Sequence, residues 1–328
     1  MLWDFSLGRT FSLLARTWPF IVLRMAVYAA IAVAFVAVTG TGAGLGWGIG
    51  AFGDAGFRTS STFWGGAAGF GLVAIGLYFL REWVLYMVKA GHIAVLVEAM
   101  DDRPLPEGRS QIEHGRAVVA ERFVEANVLF VIDQLVKAVI RAVTGLLGVI
   151  SSVLPIPGIQ GLARFVRMVL SVAIGLMDEV VLAYNIRIRS ANPYESAQDG
   201  LVLYAQNAKA ILKNAVWLAI FVYGLSLIMF LVFLAPAGAI VYFFPGDLSA
   251  IAILVAIVFA ICFKAAVLEP FAIAALMQVY FAAIEGQAPR EDWRQRLGET
   301  SKKFRALGEK ARDFVGAPGN IGPDAVRR

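Results

Sequence analysis

Charge is scarce in this chain. Of its 328 residues only 16% are Asp, Glu, Lys or Arg, while 59% are hydrophobic; soluble domains carry about 25% charged residues. That balance excludes an ordinary water-soluble enzyme. Cysteine is almost absent. The single one, Cys262, stands in an apolar run, so there is no disulfide framework and no thiolate metal cluster. Two histidines, His92 and His114, are too few for a histidine-rich metal site. P-loop, HExxH, GxSxG and dinucleotide fingerprints are all missing, as are the alternating ten-residue segments of an outer-membrane barrel. No catalysis, cofactor or metal is expected. The N-terminus also lacks a basic region followed by a short apolar core and a cleavage site. Its opening, MLWDFSLGRTFSLLARTWPF, reads as a retained amphipathic lead-in to a first span.

Long apolar runs are what the chain does have. Six approach the ~20 residues that cross a ~30 Å hydrocarbon core as a helix, at roughly 20–39, 63–81, 126–153, 163–186, 215–235 and 250–268. Gly- and Pro-rich stretches lie between them: GTGAGLGWGIG at 40–50, LPIPGIQG at 154–161, and APAG and FPGD within 235–247. Read as turns, they divide the runs into three hairpins, 20–81, 126–186 and 215–268. The expected fold is all-α: a polytopic membrane protein of about six transmembrane helices, forming one transmembrane domain over 1–286. Gly65 and Gly69 make a small-xxx-small pair suited to close helix packing.

The net charge of +5 has a membrane explanation and needs no nucleic acid. Segments 40–61, 154–162 and 237–249 hold one basic residue, Arg58, whereas 1–19, 101–125, 187–213 and 287–328 hold twenty. The positive-inside rule therefore predicts an inner (plasma) membrane protein with both termini cytoplasmic. Amphipathic cytoplasmic helices are expected at 5–19, 110–125, 193–213 and 271–285. SQIE at Ser110–Glu113 fits a capping box, and NPYE at Asn192–Glu195 fits an N-cap with proline at N1. An internal repeat of parallel orientation is suggested by VLRMAVY at 22–28 against ILKNAVW at 211–217. Glu82 and Glu98 share the spacing of Glu269 and Glu285. The tail, 287–328, carries ten basic residues. It places Trp293, Leu297, Thr300, Phe304, Leu307, Ala311 and Phe314 on one helical stripe, suited to an anionic inner leaflet or to packing on the protein.

Ionisable residues inside spans are functional hypotheses by default. Asp133, Lys137 and Arg141 follow i, i+4, i+8 and share one helix face. Asp178 and Glu179 are adjacent acids that point about 100° apart, so at least one should meet a base on another span, with Lys137 or Arg141 the natural partners. These five residues are the candidate polar pathway. Arg81–Glu82 and Lys264…Glu269 read instead as a cytoplasmic-side interface belt. Glu269–Pro270 is also expected to break a helix that would otherwise run about 52 Å from Ala250 to Ile284, beyond what tilt accommodates. Residues 271–284, too apolar for open cytosol, should then lie in the interface or beneath the amphipathic helices.

From about residue 110 to 286 the chain resembles the choline transporter-like family. The resemblance rests on the long helix entering a span (ERFVEANVLFVIDQLVKAV), on SAQDGLVLYAQNAKAILKNAVWL, and on the ending QVYFAAIEG. It implies uptake or exchange of a choline-like cation and carries no binding residues with it. Two function classes stay open. The expected one is a secondary carrier for a small solute, a choline-like cation being one candidate, because the intramembrane charges lie on two adjacent spans. The other is a non-catalytic membrane scaffold or accessory subunit that binds a cytoplasmic-side protein, a second copy of itself, or lipid. A water-accessible cavity shared by Asp133, Lys137, Asp178 and Glu179 would mark the carrier; closed ion pairs without one would mark the scaffold.

Overall fold

The computed structural model describes residues 3–80, 85–122, 132, 134–140, 176–189, 191–243 and 248–314. Regular structure among the described residues is helical throughout. Four stretches are long and apolar enough to cross a membrane: Trp18–Gly50, Ala55–Tyr78, Ala208–Ala235 and Val255–Ile284. The expected span at 126–153 is described only at 132 and 134–140, and that at 163–186 only from residue 176. The chain divides into two compact units. The first comprises Met1–Thr17, Lys89–Ile220 and Phe271–Arg328; the second comprises Trp18–Val88 and Phe221–Pro270.

The second unit is built on long apolar helices. α2 (Trp18–Gly50) runs 33 residues, about 50 Å at 1.5 Å per residue, and α3 (Ala55–Leu80) returns against it. Their turn is Ala51–Asp54, with Asp54 Oδ1 accepting from the Phe57 N–H at 2.7 Å to cap α3. The turn expected at 40–50 is therefore helix. Its glycines are the packing surface. A Cβ on Gly42 would fall 2.2 Å from the Gly65 carbonyl oxygen, one on Gly46 2.0 Å from that of Ser61, and one on Gly69 2.4 Å from that of Val38. Only hydrogen at these positions lets the two backbones come so close, and in lipid that contact drives association. The flanks of the hairpin are apolar and exposed, Leu45, Trp47, Phe63, Trp64 and Leu72 among them, which suits an acyl-chain surrounding.

The APAG turn is helix as well. α8 (Ala208–Phe243) continues through Pro236, as apolar helices in lipid allow. From Phe221 onward α8 belongs to the second unit and packs on α9 (Leu248–Phe263), where Phe233 meets Phe259 and Phe263. After α9 the chain does not break. Lys264–Leu268 forms a π turn and α10 (Glu269–Ile284) follows directly. The expected break at Glu269–Pro270 is replaced by one turn of wider hydrogen-bond register.

The first unit has a core of helices that are buried on nearly every side. α4 (Tyr86–Met100) is buried from Ala90 to Met100, and α10 from Phe271 to Tyr280. α6 (Met177–Ile188) and α7 (Pro193–Gln206) are buried over most of their length. A helix apolar on all sides belongs inside. α1 (Leu7–Arg16), by contrast, is amphipathic and buries Thr10 and Leu13. Local sequence places these helices. Ser6 caps α1, Asn192 caps α7 through the Tyr194 and Glu195 N–H groups, and the Ser110–Glu113 box makes both reciprocal bonds at the start of α5 (Gln111–Arg122). α10 is held by Tyr280, whose hydroxyl donates to the Gly200 carbonyl at 3.0 Å, and by Gln278, which donates to Thr10 Oγ1 at 2.8 Å.

The single stripe expected in the tail is two helices, α11 (Glu291–Thr300) and α12 (Lys302–Asp313), separated at Ser301, which caps α12. Leu297, Phe304 and Leu307 are buried, both helices lie on α7, and Asn192 donates to the Ala311 carbonyl at 2.6 Å. The expected amphipathic helix at 193–213 is likewise interrupted, at Asn207.

One order of pieces recurs. A capped short helix (α1, α7) ends at a single joint residue (Thr17, Asn207), whose backbone N–H and side chain both bond back into that helix. A long apolar helix follows (α2, α8), then a returning helix (α3, α9). π geometry comes next, at Leu85 and at Lys264–Leu268, and a buried helix closes each set (α4, α10).

Candidate functional site

Of the five residues in the candidate pathway, Lys137, Asp178 and Glu179 are described; Asp133 and Arg141 lie outside the described residues, as do Arg81 and Glu82. Asp178 and Glu179 open α6, where the positive end of the helix favours acids. Both are buried. Asp178 Oδ2 lies 3.3 Å from Lys137 Nζ, and Glu179 Oε1 accepts a hydrogen bond from Lys89 Nζ. Lys89, on α4, was not among the residues singled out from the sequence, where it stands alone in an apolar stretch.

The far ends of α4 and α6 are tied as well. Arg187 donates to Asp101 through Nε and Nη2 at 3.0 and 2.6 Å, and Arg103 donates to the same carboxylate at 2.9 Å. Arg189 pairs with Glu98. Base meets acid at the start of the two helices and acid meets base at their finish, so they run side by side in the same direction. Close pairing is what keeps buried charge tolerable. At the N-terminus Asp4 accepts from Asn214 Nδ2 at 2.8 Å and from Lys213 Nζ at 3.1 Å. The Asn214 amide, and after it Lys213, hold the Asp4 carboxyl below the usual aspartate range.

A cavity of about 560 Å³ opens in the first unit, at the C-terminal residues Met100, Ile188 and Ile284 of α4, α6 and α10. Arg9, Asp101, Arg103, Tyr184 and Arg187 line it; Lys137, Asp178 and Glu179 do not. Of the residues expected in the pathway, the described Lys137, Asp178 and Glu179 stand in two ion pairs, one of them with Lys89, and none lines this cavity.

In the second unit the sequence singled out Lys264, Glu269 and Pro270. Lys264 Nζ sits 5.4 Å from the Tyr223 ring centre. Glu269 lies 3.3 Å from Arg24 Nη2, and that same nitrogen donates to the Ala265 carbonyl at 2.6 Å. Arg24 is 2% exposed. In the sequence Arg24 stands out only as one letter of VLRMAVY, although a lone arginine two turns inside an apolar helix is itself a signal. Among the described residues no three His, Cys, Asp or Glu side chains are grouped to hold a metal.

No family model, curated protein or solved structure matches the chain.

Proposed function

We propose that the chain is a non-catalytic membrane scaffold or accessory subunit that holds a compact helical domain on the cytoplasmic side for protein or lipid contacts. The observation that carries this reading is the closure of Asp178 on Lys137 and of Glu179 on Lys89, with neither acid on the wall of the cavity. A carrier needs its intramembrane charges exposed to a solute path. Here lysines occupy them, in the arrangement expected of structural pairs. Further support comes from the glycine-packed α2–α3 hairpin, whose close backbone contact leaves no aqueous lumen along Gly42, Gly46, Gly65 and Gly69. The basic flanks, with twenty Lys and Arg against one in the opposite loops, favour a cytoplasmic placement for both termini.

The test is solute flux. Wild type and Asp178→Asn/Glu179→Gln are reconstituted in proteoliposomes and offered choline and a panel of other organic cations. The scaffold reading expects no saturable uptake by either protein and a lower unfolding temperature for the variant. Saturable uptake by wild type that the variant loses would overturn the scaffold and restore the choline-like carrier.

A further inference from the structure

We propose that the cavity of the first unit is a binding site for a small organic oxyanion, a carboxylate or phosphate monoester joined to an apolar body. The proposal is independent of whether the chain transports a solute. The cavity volume, about 560 Å³, falls within the ~300–1,000 Å³ of small-molecule sites. Hydrogen-bond donors on its wall exceed acceptors. Asp101 is already consumed by Arg187 and Arg103, and Glu285 is exposed. The helix-end carbonyls are spoken for too: Met100 O accepts from Arg9 Nη2 at 3.2 Å and Ile284 O from the Gln287 N–H at 3.0 Å. The Arg9 side chain makes only that one hydrogen bond among the described residues, so most of its five N–H donors stay free for an anion.

The second polar group is Tyr184. The residue is 7% exposed and lines the cavity. Its hydroxyl makes no hydrogen bond among the described residues and is not sealed from solvent, so it is a donor open to whatever fills the cavity. Both ends of the ligand are therefore specified. Arg9 and Tyr184 supply donors to an oxyanion, and Arg187, on the same wall, is held by Asp101 and stacked 4.3 Å over Phe281. The walls at Met100, Ile188 and Leu203 offer apolar contact.

The experiment is calorimetric titration of the purified full chain in nanodiscs with hexyl phosphate. Hexanoate, inorganic phosphate, hexyltrimethylammonium and an oleoyl lysophosphatidate serve as separate arms. Hexyl phosphate or hexanoate should bind saturably, at least about tenfold tighter than inorganic phosphate and than the cation. Arg9→Gln should weaken binding about tenfold or more, as loss of a hydrogen bond to a charged group does. Tyr184→Phe, which removes one oxygen and keeps the ring packing, should weaken it several-fold. Tighter binding of the lysophosphatidate than of hexyl phosphate would identify a lipid as the source of the headgroup, and the reverse a soluble metabolite; either result supports the site. Three results overturn it: no binding of either hexyl anion at millimolar concentration, binding unchanged in both variants, or equal binding of the hexyl cation.

Discussion

Arg24 fills a vacancy that Pro270 creates. In the π turn the Glu269 N–H reaches back five residues to the Lys264 carbonyl. A residue 270 N–H would next reach Ala265, but proline has none. Arg24 Nη2 stands 2.6 Å from that Ala265 oxygen and also pairs with Glu269. The helix breaker and the buried arginine, 246 positions apart in the chain (270 − 24), thus form one structural element.

Arg24→Met should cost about 3 kcal/mol, because it leaves a buried carbonyl without a donor and Glu269 without its described base. Pro270→Ala supplies the missing N–H. The double variant should recover about 1 kcal/mol of the loss, a coupling that a double-mutant cycle measures by unfolding in detergent. Simple additivity of the two changes would separate Arg24 from Pro270.

The glycines of α2 should divide sharply by face. Gly44 and Gly48 have open space where a Cβ would stand, so Gly→Ala there should gain up to about 1 kcal/mol from helix propensity. Gly46→Ala places a methyl 2.0 Å from the Ser61 carbonyl. It should cost about 2 kcal/mol or more as the helices are forced apart. Unfolding midpoints of the three single variants check the change of sign.

That alternation also shows where the sequence was legible. Gly65 and Gly69 could be read as a packing pair because they sit inside an obvious span. Gly42, Gly46 and Gly50 were read as a turn because glycine breaks helices in water, whereas between helices in lipid it is the residue that lets backbones touch. α4 was invisible for a related reason. At 15 residues it is too short for a span, and its apolar residues fall on every face around Lys89, His92 and Glu98, so it shows no amphipathic stripe. The break expected at Glu269–Pro270 rested on length alone, and the helix is continuous there. The structure answers by burying Phe271–Tyr280 among α1, α6 and α7 and by widening one turn. Caps at Ser110 and Asn192 were readable because their bonds span three residues. The pairing of Lys89 with Glu179 spans ninety, which no local pattern encodes.

Acid should loosen the N-terminal segment. The Asp4 carboxyl is held below its usual range, first by the Asn214 amide and then by Lys213. A depressed folded-state value means that its contribution to stability is full above the unfolded-state value and is lost as pH falls through the folded one. Trp3, which packs against Trp217, should therefore release below about pH 4. Carboxyl NMR of Asp4 should show the lowered midpoint, and Asn214→Ala should move it back toward an ordinary aspartate. An unchanged midpoint in that variant would remove the amide as the cause.

Docking of α11 and α12 rests on few side chains. Phe304 is 2% exposed and Leu307 fully buried; Phe304→Ala should cost about 3 kcal/mol. Trypsin cleavage at the exposed Lys302, Lys303 and Arg305 proceeds through the undocked state, so its rate should rise about 100-fold. Lys310→Ala, which changes only an exposed side chain, should leave the rate at the other sites as it is. Equal rates for Phe304→Ala and wild type would mean that these helices are held elsewhere.

The proposed orientation has a direct chemical readout, because the chain has one native thiol. Cys262 is buried in α9, and Cys262→Ala gives a cysteine-free background of nearly the same volume. Ala51→Cys then places a thiol in the exposed α2–α3 turn, three residues before the Asp54 cap, and Arg290→Cys places one just ahead of α11. Arg58, the sole cation of the sparse loops, lies 5.4 Å over the Trp47 ring beside that turn; an aromatic there suits a membrane–water interface. The positive-inside rule puts the turn outside and the tail, with ten basic residues, within. A membrane-impermeant maleimide applied to intact cells should label Ala51→Cys at once and Arg290→Cys only after permeabilisation. Labelling in the opposite order would invert the topology and with it the cytoplasmic placement of the scaffold.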